Sequence, residues 1–441
     1  MERAFVLTNS RDIAHRLLLR VIEGDSYVNL LLPSLLRREQ VPEAERGLIQ
    51  ELSYGALRWQ LQYDAIIDNI TSSRELTDRL RVALRLGLHQ LFRMRIPPHA
   101  AIHETVELVK RVEPKAAGLA NAVLRNAQRS GLEQLLDQLT DEIEARAELS
   151  IRHSHPEWIV HALEAALRLD GREEGLEDLL RANNETPEIN LIALDQAASE
   201  SLAAAGLAKG TASPRGFLLQ GNPESYLSKS VRVQDQGSQI VAIALLELVG
   251  HQGDLLDMCS GPGGKSAVLQ AGLESGSLTC MEPNAKRAEL VRQALGPDSR
   301  SSILVAKGQE AEENRFDGVL LDAPCSGLGS LRRKPESRWR KQPDHLQGLL
   351  KTQEELIDAA VNSLRSGGVL LYSTCTPVIS ETNGQISAAL DRHPGLELMA
   401  LPVAIAAISP QLELNTARKS VQLWTHLHGT DAMFMAALRK K

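Results

Sequence analysis

Apolar residues recur every three or four positions through the first third of the chain. The runs Arg11–Ile22, Arg46–Leu57 and Asp78–Leu91 each place an apolar stripe on one helical face, with no alternating β-branched run among them. Pro97-Pro98 ends the third run; helical periodicity resumes from His103 to Val112 and stops before Pro114. This pattern predicts an all-α domain over residues 1–150.

The periodicity then changes twice. Between 151 and 230 a helical stretch, Trp158–Leu167, precedes a polar break at Asn183–Pro187, a strand-like Ile189–Leu194 and turns at Gly206, Gly210 and Gly216. A small α+β connector is expected there. From 231 to 441, apolar runs of strand length recur at Leu255–Met258, Ser277–Met281, Ile303–Ala306, Asp317–Asp322 and Gly368–Ser373. Helical segments such as Ala285–Leu295 and Leu349–Leu364 separate most of them. Such alternation predicts a mostly parallel sheet covered on both faces, a Rossmann-like α/β domain. Val421–Trp424 and Ala432–Leu438 are expected to close the sheet as an antiparallel pair.

Composition adds limits. The 441 residues are 43% hydrophobic and 24% charged with net charge −7, which excludes a uniformly basic nucleic-acid coat but not a local basic patch. The N-terminal segment lacks the apolar core of an export signal, and no apolar run approaches a membrane span. A cytoplasmic protein with no membrane partner is expected, and nothing demands more than a monomer. The four cysteines lack CxxC spacing, so a reducing compartment suits them better than a disulfide framework. His153-x-His155 and His426-x-His428 have no acidic or thiol partners at zinc spacing, and no metal is expected.

Three of those cysteines fall where α/β enzymes carry their chemistry, at carboxyl ends of predicted strands. Cys259 lies in the turn Asp257-Met-Cys-Ser-Gly-Pro-Gly-Gly-Lys265, Cys325 in Asp322-Ala-Pro-Cys-Ser-Gly, and Cys375 after Tyr372-Ser-Thr. Glycines 261, 263 and 264 around Pro262 let a ligand approach the backbone closely, and Glu282, at the end of the next strand, suits ribose hydroxyls. Neighbouring strand ends lie about 5 Å apart, so Cys325 and Cys375 are expected to face one pocket. Between them, residues 332–341 hold six basic residues and one acidic one. With Trp339 interleaved, this run is read as a polyanion-binding and base-stacking surface.

These motifs, in this order, resemble the RNA cytosine-5 methyltransferases. They resemble most the RsmB type, which acts on 16S ribosomal RNA. Leu84–Leu91, Ile96–Val106 and Asn121–Arg125 resemble the NusB-like RNA-binding domain fused to those enzymes, and Val233–Ser238 and His428–Asp431 resemble motifs of their catalytic domain. The resemblance implies S-adenosyl-L-methionine as cofactor and RNA as partner, 16S rRNA free or in a partly assembled small subunit. It implies Cys375 as the nucleophile on cytosine carbon 6 and Cys325 as the group that helps release the adduct. Asp322 and Lys265 would lie at the reacting groups. Cys259, Ser260, Gly261, Pro262, Gly263, Gly264, Lys265, Glu282, Gln309 and Asp322 would hold the cofactor, and Arg332, Arg333, Lys334, Arg338 and Trp339 would contact RNA. Gln309 stands where the family carries an acid, and Ile192-Ala193-Leu194 where it carries Arg-Val-Asn. Two rival readings stay open: cytosine-5 methylation of another RNA such as tRNA, and a non-catalytic RNA-binding assembly factor.

Overall fold

The computed structural model describes residues 9–24, 27–297 and 300–441. The segment 1–8, which carries most of the stretch read above as no export signal, lies outside them. The chain forms two compact units: residues 1–161 with 333–340, and residues 162–332 with 341–441. This differs in two ways from boundaries drawn at 150 and 230. The connector belongs to the same unit as the α/β domain, and part of the basic run belongs to the helical one.

Among its described residues the first unit is helical: α1 (Ser10–Glu23), α2 (Val28–Arg38), α3 (Glu43–Arg58), α4 (Gln60–Ile70), α5 (Asp78–Arg93), α6 (Pro98–Val112), α7 (Ala117–Ser130), α8 (Leu132–Thr140) and α9 (Ala145–His153). Local signals set several ends. Asn9 and Thr77 accept hydrogen bonds from Arg11 N and Leu80 N, capping α1 and α5. Pro98 occupies the first turn of α6, where a missing N–H costs nothing. The stripes of α1, α3, α5, α6 and α7 meet in one apolar core that includes Leu17, Leu52, Leu84, Val109 and Leu124. Inside it, Tyr63 Oη lies 2.9 Å from His89 Nδ1, and His89 Nε2 lies 3.1 Å from Glu51. Gly55 makes room for that ring: a Cβ there would sit 2.0 Å from His89 Nε2.

In the second unit, an antiparallel sheet of order β2-β3-β1-β4 is built from β1 (Ile189–Ala193), β2 (Ala208–Lys209), β3 (Gly216–Leu219) and β4 (Val231–Val233). Ile192, Ala193 and Leu194 are buried in it. A larger sheet follows, in which β5 (Gln252–Asp257), β6 (Ser275–Met281), β7 (Ser301–Leu304), β8 (Phe316–Asp322) and β9 (Leu364–Thr374) run parallel. Strands β10 (Leu396–Leu398), β11 (Val421–Gln422) and β12 (Phe434–Lys440) add antiparallel pairs, β11 and β9 both pairing with β12. The order is β10-β12-β9-β8-β5-β6-β7.

Strand period explains why both faces are covered. Leu255, Leu320 and Leu371 join one core with Ile240–Leu246, on the helix Gln236–Val249. Their neighbours Leu256, Leu321 and Leu370 join the opposite core with Leu356 and Ile357, on the helix Leu346–Ser363. The chain steps from β5 to β6 and β7 on one side and to β8 and β9 on the other. The crevice at the carboxyl end of β5, where the order reverses, is the ligand position of such sheets. Asp235, which caps the helix Gln236–Val249 through Gly237 N, also accepts from Asp431 N at 3.1 Å. The sequence stretches around 235 and 431 therefore meet at the entry to this domain.

Candidate active site

The turn after β5 is drawn onto the end of β6. Ser260 N and Oγ both donate to Met281 O at 3.0 Å, and Gly263, at φ +99°, leads into the helix Gly264–Gly272. Side chains are kept out where the turn passes the next acid. A Cβ on Gly261 would lie 2.1 Å from Glu282 Oε2. The Glu282 carboxylate is buried, accepts from Asn284 N at 2.9 Å and pairs with Arg287 at 3.4 Å; Arg287 also donates to Gly261 O at 2.6 Å. Turn and acid thus form a cradle of backbone groups facing a carboxylate, which fits a ligand bearing vicinal hydroxyls.

Three acids and a lysine sit around the strand ends. Asp257 is fully buried, and burial pushes its carboxyl up to about 6, against the Ser266 hydroxyl that donates to it at 2.6 Å. Lys265 Nζ lies 2.6 Å from Asp322 Oδ2, whose other oxygen accepts from Ser373 Oγ at 3.1 Å. Burial disfavours the Lys265 ammonium, yet the Asp322 contact and the nearby Cys375 outweigh it and raise its pKa. Lys265 is therefore a fixed positive charge beside Cys375. Cys259 has its thiol pushed up by burial and by the charges of Asp257, Asp322 and Glu282, so it is held protonated.

The structure brings together the two thiols singled out from the sequence. Cys325 and Cys375 follow the ends of the adjacent parallel strands β8 and β9, and their sulfurs are 3.4 Å apart. Cys325 is pushed well up, by its hydrogen bond to Cys375 first and by burial next. Gly329 N donates to Cys375 O at 2.8 Å, and Ala432 N to Gly329 O at 2.8 Å, so backbone contacts fix the loop after Cys325 against the Cys375 loop. Gln309 stands apart: it is exposed in the turn Gly308–Glu310 and its amide reaches Glu355 at 3.3 Å.

The basic run requires a correction. Arg338 is 0% exposed and donates to Arg58 O at 3.2 Å and Ser154 O at 2.9 Å, and Trp339 Nε1 donates to Leu57 O at 2.7 Å. Arg340 donates to Val21 O and Gly24 O at 2.8 and 2.7 Å. These acceptors lie at the carboxyl ends of α3, α9 and α1, where helices leave carbonyls without partners. Glu336 does the converse, accepting from Val28 N at the start of α2 at 2.7 Å. Arg338 is therefore spent on helix ends inside the first unit, and the half-buried Trp339 is tied to one of them by its indole N–H. Arg332 is also buried and reaches Gly429 O at 2.9 Å, while Arg333 is exposed and Lys334 half-buried.

Sequence reasoning missed a second set at the thiols. Glu381, Ser326, Gln353 and Thr376 are buried, and the Glu381 carboxylate accepts from Ser326 N at 2.7 Å, Ser326 Oγ at 2.5 Å and Gln353 Nε2 at 3.1 Å. The one available signal was the position of Glu381, six residues after Cys375.

Sheet order, glycine turn and the acid ending β6 define a Rossmann-like methyltransferase. Comparison with known proteins makes this specific. Residues 243–439 match the family described as 16S rRNA methyltransferase RsmB/F, and residues 8–129 match the NusB family. The ribosomal RNA small subunit methyltransferase B of Pseudomonas putida is 34% identical over 98% of both chains. Its namesake in Escherichia coli is 32% identical over 88% of this chain and 92% of that one. The solved structure of PH0851 shares the fold at TM-score 0.75, with 20% identity over 98% of this chain and 99% of that one. NSun6 from Pyrococcus horikoshii with SFG gives 0.51 at 17% identity, covering 63% of this chain and 97% of that one. The chain belongs to the RsmB/F methyltransferase family, with a NusB-family domain at its N-terminal side. It is an S-adenosylmethionine-dependent RNA methyltransferase. Among the described residues no helix is long and apolar enough to cross a membrane.

Proposed function

We propose that this protein methylates carbon 5 of a cytosine in 16S ribosomal RNA through a covalent adduct of Cys375 with carbon 6 of the base. The observation that carries the reading is the pair of sulfurs 3.4 Å apart after two adjacent parallel strands. Relatives of nearly the same length are named small-subunit ribosomal RNA methyltransferases. Carbon 5 is a poor nucleophile until a thiolate adds at carbon 6 and makes an enamine. Bound S-adenosylmethionine supplies the electrophilic methyl group.

The chain's own groups divide the remaining work. Lys265, fixed by Asp322, favours the Cys375 thiolate by its charge. Once Cys375 is bound to carbon 6 it carries no charge, which removes the first cause that opposes ionisation of Cys325. Cys325 would then, as thiolate, take the carbon-5 proton while that electron pair re-forms the 5,6 double bond and expels the Cys375 thiolate from carbon 6. Residues 259–265, with Glu282 and Asp322, would hold the cofactor, Glu282 at its ribose; Gln309 would do so only by giving up its contact with Glu355. Arg333 and Lys334 remain candidates for phosphate contacts, with Arg332 less available because it is buried. The cytosine must be unpaired or extruded to reach sulfurs at the strand ends. We further assign the chain a monomeric form acting on the RNA, free or in a partly assembled subunit. Bisulfite sequencing of 16S rRNA and tRNA, with and without the gene, tests the assignment. One 16S cytosine should lose its methyl group and regain it with the wild-type gene but not with Cys375→Ala. Loss confined to tRNA, or no loss at all, would overturn it.

A further inference from the structure

The Glu381 carboxylate is fully buried and accepts from neutral donors on Ser326 and Gln353. Ser326, which follows Cys325, gives both its N–H and its hydroxyl. Gln353 gives one amide hydrogen to Glu381 and reaches Pro324 O, just before the cysteine, at 2.9 Å. On the nucleophile side, Ser326 Oγ lies 2.9 Å from Thr376 Oγ1, next to Cys375, and Thr376 Oγ1 accepts from Val378 N at 3.3 Å. The Glu381 carbonyl takes the hydroxyl of Tyr372, three residues before Cys375, at 2.8 Å. Both cysteine loops therefore converge on one residue.

We propose that Glu381 is a positioning residue for methyl transfer: it holds the two thiols at contact distance, and its negative charge opposes a thiolate at Cys325. The proposal rests on the two-thiol reading above. Electrostatics favour the same division of labour. Cys325 is faced by Cys375, by Glu381 and by Asp322 at the end of β8, whose negative charges oppose a thiolate there. The positive charge of Lys265 is bonded to Asp322 and acts on Cys375. A thiolate is thus favoured at Cys375 and opposed at Cys325. Burying a carboxylate without a cation is costly, and the three donors aimed at it are what make it tenable.

Glu381→Gln removes the charge and keeps the shape, whereas Glu381→Ala removes both and Ser326→Ala removes one donor. The assays are turnover on an RNA substrate, cofactor affinity by calorimetry, and iodoacetamide labelling of each cysteine against pH, read by peptide mass spectrometry on the full chain. Glu381→Gln should lower turnover about tenfold, leave cofactor affinity unchanged, and move Cys325 labelling to lower pH by about one unit. Ser326→Ala should lower turnover by a smaller factor. Wild-type turnover in Glu381→Gln would overturn the proposal. So would lost turnover with the labelling profile of Cys325 unmoved, which marks a purely structural role. Cys375→Ala in the same assays separates the two levels: if it keeps activity the two-thiol reading fails, and if it is inactive while Glu381→Gln behaves as wild type only this proposal fails.

Discussion

Replacing Arg338 by alanine should destabilise the helical unit while changing nothing at the thiols directly. The guanidinium is fully buried, and its bonds to Arg58 O and Ser154 O, at 3.2 and 2.9 Å, satisfy carbonyls at the ends of α3 and α9. Hydrogen bonds from a charged donor are worth about 1.5–3 kcal/mol each when their loss strands a buried acceptor. Against this stands the cost of burying the charge, which lowers the Arg338 pKa well below its usual value and is relieved on truncation. The net loss is about 2–4 kcal/mol, equivalent to a melting point lower by about 5–15 °C in a unit of this size. Far-UV circular dichroism melts of Arg338→Ala and of Arg333→Ala, whose side chain is exposed, provide the comparison. Arg333→Ala should melt with the wild type. If Arg338→Ala also does, and both lose RNA affinity equally, the segment works as a charged surface and the helix-end account is wrong.

Other positions give sharp expectations. Gly261→Ala places a Cβ 2.1 Å from Glu282 Oε2 and should weaken cofactor binding by roughly two orders of magnitude in calorimetry, with the melt preserved. Asp257, raised to about 6 in the fold, favours the folded state when protonated and loses that contribution as pH rises through about 4 to 6. The stability difference between wild type and Asp257→Asn, from urea unfolding, should therefore change over that interval and level off above it. Gly55→Ala drives a methyl group into His89 and should cost about 1–3 kcal/mol in the same unfolding assay.

How much of this could be read from residues alone follows from the range of the forces involved. The convergence of Cys325 and Cys375 was legible because strand period and the strand-end rule are local, and the glycine turn preceding a helix is local too. The short strands Ala208–Lys209 and Gly216–Leu219 were not, since pairing rather than sequence run holds them. Arg338 and Trp339 were misread for a related reason. A run of basic residues seeks oxygen acceptors, and helix-end carbonyls serve as well as phosphates; only tertiary structure shows which are at hand. Glu381 escaped notice because its one local signal is its position six residues after Cys375, while its donors come from residues 326 and 353, far away in sequence.

The central claim is that the two thiols have unequal roles, and adduct trapping tests it most directly. Each single variant would be incubated with S-adenosylmethionine and 16S rRNA or small-subunit particles, then separated under denaturing conditions. Cys325→Ala should accumulate a covalent protein–RNA complex, which Cys375→Ala should not form. An adduct in Cys375→Ala, or full turnover without an adduct in Cys325→Ala, would contradict the account.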